Sequence, residues 1–228
     1  MQTHDYILAG ATGLVGTEIL KQLAHESNAG QIICLGRTAP PHLPPRGKFI
    51  AHDFKAHVDW QKLKLNAPVA ICTLGTTIKK AGSQEEFRRV DYDYVLNFAE
   101  ETKRIGAIAL HVVTAHGASS HSSIFHNRVK GEIEEKLKSL ALPSLHIYRP
   151  SLLLGERHEK RFSEGAATWA VKFLAPLFKL PGLNAVQPTP VSHLARYILH
   201  SAQNSATGNH VHSNSQMMST TELNFEGG

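Results

Sequence analysis

His126 and Lys130 stand four residues apart in the stretch from Phe125 to Leu140, which reads as a helix, so their side chains share one face. Thr114 follows the apolar run His111-Val112-Val113, twelve residues before His126. An imidazole exchanges protons near neutral pH, an ammonium supplies fixed charge, and a hydroxyl orients an oxygen. Set together at the carboxyl end of a strand, the three would make an acid-base centre in the place where open α/β sheets carry their chemistry. By residue type alone, a His and Lys at this spacing also suit a solvated helix surface.

A second group points to a bound phosphate. In Gly10-Ala11-Thr12-Gly13-Leu14-Val15-Gly16 three glycines leave an apolar run, Tyr6 to Ala9, and open a helix predicted over Leu14 to His25. A turn without Cβ atoms lets backbone approach a pyrophosphate, and a helix N-terminus offers free N–H groups with a positive dipole end. The spacing is G-x-x-G-x-x-G, and a turn that only packs helix on strand is the simpler alternative. Beyond the second strand, an acid about 20 positions past the glycines would hold a ribose 2′-OH, and an Arg would accept a 2′-phosphate. No Asp or Glu occurs between Glu26 and Asp53, whereas Arg37 follows Leu35-Gly36, with Arg46 and Lys48 as further cations. A guanidinium suits phosphate by charge and fork geometry, so NADP(H) is expected in preference to NAD(H).

Elements that would position these residues alternate along the chain. Strands are predicted at Tyr6 to Ala9, Gln31 to Leu35, Phe49 to Ala51, Val69 to Leu74, Ala109 to Val113 and Leu145 to Tyr148. Most are continuous apolar runs, as in strands covered on both faces. Helices are predicted at Leu14 to His25, Gln84 to Arg104 and Phe125 to Leu140, the second with Phe87, Val90, Tyr94 and Phe98 at helical spacing. This order implies βαβ units wound into a doubly wound parallel sheet of α/β class, a three-layer Rossmann fold in one domain over residues 1–228. Thr38-Ala39-Pro40-Pro41-His42-Leu43-Pro44-Pro45 reads as a stiff surface loop. Later come helices near Ala166 to Phe178 and Val191 to Ala202 and a strand near Asn209 to His212, with residues 156–208 expected to form most of the substrate side. Trp169, Phe173, Leu174, Leu177 and Phe178 make an apolar stripe fit to pack against the cleft or a second subunit of a homodimer.

The chain has 228 residues, 42% of them hydrophobic, enough to bury a sizeable core. The net charge of +5 comes from Lys and Arg dispersed among acids, as in Glu132-Ile133-Glu134-Glu135-Lys136-Leu137-Lys138, which argues against a nucleic-acid face. No run reaches the roughly 18 apolar residues of a membrane span. Cys34 and Cys72 read as buried core residues, and the fifteen His, including His210-Val211-His212, show no metal-ligand spacing. A soluble, cytoplasmic protein is expected.

With Cys72-Thr73-Leu74-Gly75-Thr76-Thr77, Arg128-Val129-Lys130-Gly131-Glu132 and Arg149-Pro150-Ser151-Leu152-Leu153-Leu154-Gly155 beside the glycine turn, the chain resembles the short-chain dehydrogenase/reductase superfamily in its atypical, NmrA-like branch. Within it, the chain is similar to a bacterial group related to Tat-interacting NADPH-binding regulators. The resemblance places the superfamily's Ser, Tyr and Lys on Thr114, His126 and Lys130. It implies that Lys130 binds the nicotinamide ribose, that Asp53 and Phe54 lie near the adenine, that Leu74-Gly75-Thr76 lines the cofactor, and that Pro150 to Leu152 lies near the nicotinamide. His in place of the family Tyr removes the phenol that donates a proton as hydride arrives, and the nearby Lys130 ammonium would favour its neutral ring. Three readings follow: an NADP(H)-dependent oxidoreductase of a small carbonyl compound, a cofactor-binding regulator that binds a protein partner without turnover, or an enzyme of epimerase/dehydratase type.

Overall fold

The computed structural model describes residues 3–60, 63–155 and 187–219. The helix expected at Ala166 to Phe178, its apolar stripe, and residues 156–186 of the expected substrate side lie outside the described residues.

Seven strands form one parallel sheet: β1 (His4–Ala9), β2 (Ala29–Gly36), β3 (Gly47–Ala51), β4 (Val69–Cys72), β5 (Ala109–Val113), β6 (Ser144–Arg149) and β9 (Gly208–Ser213), in spatial order β3-β2-β1-β4-β5-β6-β9. The short β7 (Leu153–Leu154) and β8 (Thr189–Pro190) pair separately. The chain starts in the middle with β1, winds outward to β3, and returns to β4 beside β1. That reversal opens a crevice between the carboxyl ends of β1 and β4, the usual ligand position in an open α/β sheet. Ile7, Leu8, Ile33, Cys34, Ala70 and Ile71 are fully buried, which explains why these strands read as unbroken apolar runs.

Helices cover both faces. On one side α1 (Leu14–Leu23) packs with α6 (Val191–Gln203), burying Ile19, Leu23, Leu194 and Ile198 against Tyr6, Leu8 and Ile71. On the other, α4 (Tyr94–Arg104) and α5 (Phe125–Ser139) bury Phe98, Ile133 and Leu137 against Ile7, Ala70 and Leu110. Two short helices, α2 (Ile78–Ala81) and α3 (Gln84–Arg88), precede α4, and α7 (Asn214–Ser219) follows β9. Thr77 caps α2 by accepting from the Lys80 N–H, and Ser83 caps α3 by accepting from the Glu86 N–H.

The structure changes several expected boundaries. The strand expected to run to Leu74 ends at Cys72, because the Thr73 N–H still bonds the Ala9 carbonyl at 2.9 Å while its hydroxyl turns back to the Ala9 and Gly10 carbonyls. The single helix expected over Gln84 to Arg104 is interrupted by a π-helical turn, Arg89–Asp93, between α3 and α4. Phe87 and Phe98, on either side of it, are both buried.

At the far edge, the register pairs His111 with His146, His146 with His210, and Tyr148 with His212. The rings stack with centroids 4.7 Å apart in each of those pairs. Hydrogen bonds link them: His146 Nδ1 with His212 Nε2 at 2.9 Å, His212 Nδ1 with the Tyr197 hydroxyl at 3.1 Å, and His111 Nδ1 with the Tyr148 hydroxyl at 2.8 Å. Burial, reinforced by neighbouring imidazoles, pushes His146 and His212 down to about 4, and His111 well below its ordinary value. Among the described residues, no group of three or more His, Cys, Asp or Glu is arranged to hold a metal ion.

Candidate functional site

The glycine turn lies at the carboxyl end of β1. Gly10 has φ of +87°, a conformation open to glycine, and a Cβ there would sit 2.6 Å from the Thr73 hydroxyl of the neighbouring β4 loop. A Cβ on Gly16 would collide with the Gly10 carbonyl oxygen, while Gly13 bonds that same carbonyl through its N–H at 2.9 Å. Gly13 is the N-cap of α1, with no side-chain cap and no acid in the first turn, so the N–H groups opening the helix have no carbonyl of their own to bond. Val15 and Gly16 are buried, Leu14 is half-buried, and Thr12 is exposed. A Cβ on Gly155 would come 2.8 Å from the Leu14 side chain, so the segment after β6 packs directly on this turn.

Past β2, Arg37 is exposed, as is Lys48 on β3. Arg46 is not available as a further cation, because its guanidinium bonds the Glu26 and Ala29 carbonyl oxygens and pins the turn between α1 and β2. Asp53 is exposed and its carboxylate accepts the Lys55 N–H at 3.0 Å. Phe54 is buried at φ of +62°, uncommon for a bulky side chain. Its N–H donates to His52 Nδ1 at 3.0 Å, which leaves the proton on Nε2 to meet the Ala56 carbonyl at 2.9 Å. Its carbonyl accepts from Asn97 at 2.8 Å and its ring lies beside Tyr94. The loop is anchored further by buried Glu101, which accepts from Trp60 Nε1 at 2.8 Å and the Val58 N–H at 3.2 Å. Arg104, His57 and these donors overcome the opposing effect of burial and hold that carboxyl at about 2.

The expected acid-base residues occupy two settings. Lys130 is buried on α5 and forms an ion pair with fully buried Asp91 at 2.7 Å. The other Asp91 oxygen accepts the Thr76 N–H at 2.9 Å, so one carboxylate joins α5 to the loop Leu74-Gly75-Thr76. Leu74 packs on the core and a Cβ on Gly75 would lie 3.7 Å from Lys130 Nζ. A paired ammonium biases a neighbouring group less than an unpaired one does.

Thr114, buried just past β5, donates its hydroxyl proton to Glu134 at 2.7 Å, with the Tyr148 carbonyl at 3.2 Å. Glu134, also buried, is gripped through both oxygens by Arg149, whose Nε lies 3.0 and 3.1 Å from them. His126, Lys130 and Glu134 follow one another at four-residue steps along α5. The His126 ring lies 5.3 Å from that of Phe87, and its Nδ1 lies 3.1 Å from Asn127 Oδ1. Pro150 is buried and accepts the His116 N–H at 2.8 Å, while Leu152 is half exposed.

Sequence reasoning missed Asp91, Glu134 and the grip of Arg149. A signal existed for the first two: Asp91 falls four residues after Phe87 on the inner helix face and Glu134 four after Lys130, and a charge on a buried face requires a partner.

No protein-family model matches the chain. Among curated proteins, it is 32% identical to HTATIP2 of Rattus norvegicus over 192 residues, covering 78% of each chain. It is 30% identical to FMP52 of Lodderomyces elongisporus over 226 residues, covering 90% of each. Solved structures give the same fold at low identity. An ADP-L-glycero-D-manno-heptose-6-epimerase from Helicobacter pylori superposes with a TM-score of 0.66 at 13% identity, covering 97% of this chain and 83% of that one. MoeE5 in complex with UDP-glucose and NAD gives 0.65 at 13%, covering 96% and 81%, and a short-chain dehydrogenase family protein from Francisella tularensis gives 0.65 at 12%, covering 95% and 99%.

These relatives correct one expectation. The FMP52 proteins carry the designation mitochondrial, which overturns the cytoplasmic assignment; two unpaired cysteines speak only to a reducing environment and do not separate one such compartment from another. Among the described residues no helix is long and apolar enough to cross a membrane. From the match in sequence, the chain belongs to the family of HTATIP2 and FMP52, and its Rossmann sheet is the fold of the short-chain dehydrogenase and epimerase structures it superposes on.

Proposed function

We propose that the chain binds a nicotinamide dinucleotide, NADP(H) in preference to NAD(H), and uses it for oxidoreduction of a small carbonyl compound, as an NmrA-like member of its superfamily. The observation that carries this reading is the meeting, at the carboxyl edge of the sheet, of an uncapped helix N-terminus behind Gly10, Gly13 and Gly16 with a loop tied to Lys130 through Asp91. Solved neighbours bound to NAD support the cofactor class. Exposed Arg37, with no acid beside it at the end of β2, supports the phosphorylated form.

In this reading the first turn of α1 receives the pyrophosphate, Arg37 the 2′-phosphate, Leu74 to Thr76 the middle of the cofactor, and Lys130 the nicotinamide ribose. Asp53 and Phe54 lie toward the adenine, and Pro150 and Leu152 toward the nicotinamide. The cofactor supplies hydride; Thr114 orients the substrate oxygen and His126 exchanges its proton. A second reading, a cofactor-binding regulator without turnover, is favoured by one observation: the His126 ring rests against Phe87 and bonds Asn127, contacts of a packed side chain.

Titration with NADPH and NADH, followed by an aldehyde and ketone panel, tests both. NADPH should bind more tightly than NADH, and Arg37→Ala should weaken NADPH selectively; tighter NADH binding with no effect of Arg37→Ala refutes the preference. His126→Tyr should raise carbonyl reduction by about 10²-fold or more, the usual worth of a positioned acid. Wild-type activity equal to that of His126→Tyr would make the imidazole a competent acid, and silence from both with tight NADPH binding would select the regulator.

A further inference from the structure

We propose that Asp91 is the positioning residue of the dinucleotide site, holding Lys130 as an ammonium and fixing the loop Leu74-Gly75-Thr76 beside it. The assignment rests on the reading of Lys130 as a cofactor anchor and gives that anchor its counter-ion.

Three observations converge on this carboxylate. Asp91 is fully buried, and its two oxygens reach across the fold in different ways: Oδ2 accepts the Thr76 N–H at 2.9 Å, while Oδ1, which has no hydrogen-bond donor among the described residues, forms an ion pair with Lys130 Nζ at 2.7 Å. A buried ion pair is weak evidence of stabilisation, since apolar replacement of both partners is often neutral, so this one calls for another account. Asp91 also stands in the π-helical turn Arg89–Asp93, and such turns recur at functional sites. Finally, Gly75 lies across the pair: a Cβ there would fall 3.4 Å from Asp91 Oδ1 and 3.7 Å from Lys130 Nζ. Both are ordinary contact distances, so the Gly75 backbone lies directly against the pair, on the side from which a ribose hydroxyl would have to approach the ammonium.

Other charged groups near Lys130 have their own partners or carry no charge. The Cys72 thiol on β4 is pushed up to about 12 by burial and stays protonated. Glu134, one turn along α5, is held by Arg149 and Thr114, and Glu132 by Arg88. His126, one turn the other way, packs on Phe87. Asp91 is therefore the carboxylate that pairs with the Lys130 ammonium.

Its removal has a signature that a packing role lacks. In Asp91→Asn the amide cannot neutralise Lys130, and a buried, unpaired ammonium sheds its proton more readily as pH rises. The measurement is the ratio of the NADPH dissociation constant of Asp91→Asn to that of wild type, between about pH 6.5 and 9, a span covering the range into which an unpaired lysine is driven. Taking the ratio cancels titrations that both proteins share. It should climb by about tenfold or more across that span, the worth of one hydrogen bond from a charged donor. In Asp91→Asn/Lys130→Met, with nothing left to titrate, the ratio should be raised but flat.

A flat ratio for Asp91→Asn overturns the assignment. Should that variant prove too unstable to titrate, the double variant decides through its own ratio to wild type: a raised ratio that stays flat with pH supports the assignment, and a ratio of one overturns it. If wild type binds neither NADPH nor NADH, the dinucleotide reading falls and this inference with it; if wild type binds and the ratio is flat, only the role of Asp91 falls.

Discussion

Acidification from about pH 7.5 to about 5.5 should weaken the fold through the stacked histidines of β6 and β9. In the unfolded chain each imidazole titrates near 6.5, whereas His146 and His212 are held at about 4 in the fold, by burial first and by neighbouring imidazoles second. Between those values the unfolded chain binds protons that the folded one refuses, so stability is intact above about 6.5, falls with pH below it, and stops falling below about 4. At about pH 5.5 the difference is about 1.4 kcal/mol per histidine, close to 3 kcal/mol for two independent sites. Solvent screening of these partly accessible rings reduces the expectation to about 1.5 kcal/mol for the pair. With a urea m-value of about 2 kcal/mol/M, the unfolding midpoint should drop by about 0.7 M. The comparison protein is His146→Phe/His212→Phe, which keeps ring stacking and removes both titrating groups; His111 keeps burial, the first cause of its lowering, in both proteins, and loses in the variant only the smaller contribution of the two imidazoles. The double variant should lose correspondingly less midpoint between the two pH values. An equal loss in both proteins, or a wild-type midpoint that rises on acidification, refutes the reasoning.

Gly16→Ala should abolish the rise in melting temperature produced by NADPH, because its methyl group collides with the Gly10 carbonyl and displaces the turn; a full shift in a folded variant would place the pyrophosphate elsewhere. Gly131→Ala should destabilise the fold by about 1–3 kcal/mol in urea unfolding, since a Cβ there would run into the Ser119 and Ser120 backbone lying across α5; an unchanged midpoint would mean that this loop yields freely.

Much of the sheet was legible because its strands are covered on both faces and write themselves as apolar runs, Val69 to Cys72 and Ala109 to Val113 among them. The glycine turn was legible because its demands are local: a positive φ at Gly10 and a close backbone approach at Gly16. What escaped depends on register and on partners distant in sequence. His111, His146, His210 and His212 are each unremarkable in their own strands and become a stack only when three parallel strands align. Asp91 and Lys130 are separated by two whole elements, α4 and β5, and the π-helical turn that carries the aspartate has no local composition that marks it off from an ordinary helix. Arg46 misled for the same reason, as its use by the Glu26 and Ala29 carbonyls depends on how the loop folds back.

The bond between Thr114 and Glu134 has a polarity that bears on the direction of chemistry. A carboxylate can only accept, so the threonine proton is committed to it, and what the hydroxyl has left for an incoming group is a lone pair. A ligand reaching this oxygen is met as a donor is met: an alcohol O–H completes a chain running ligand to Thr114 to Glu134, whereas a carbonyl oxygen faces another acceptor. On the proposed reading of Thr114 as the residue that orients the substrate oxygen, alcohol bound there would be favoured over carbonyl relative to free solution, tilting the internal equilibrium toward the reduced substrate. To serve a carbonyl equally well, the hydroxyl would have to give up Glu134, leaving that buried carboxylate to Arg149 alone.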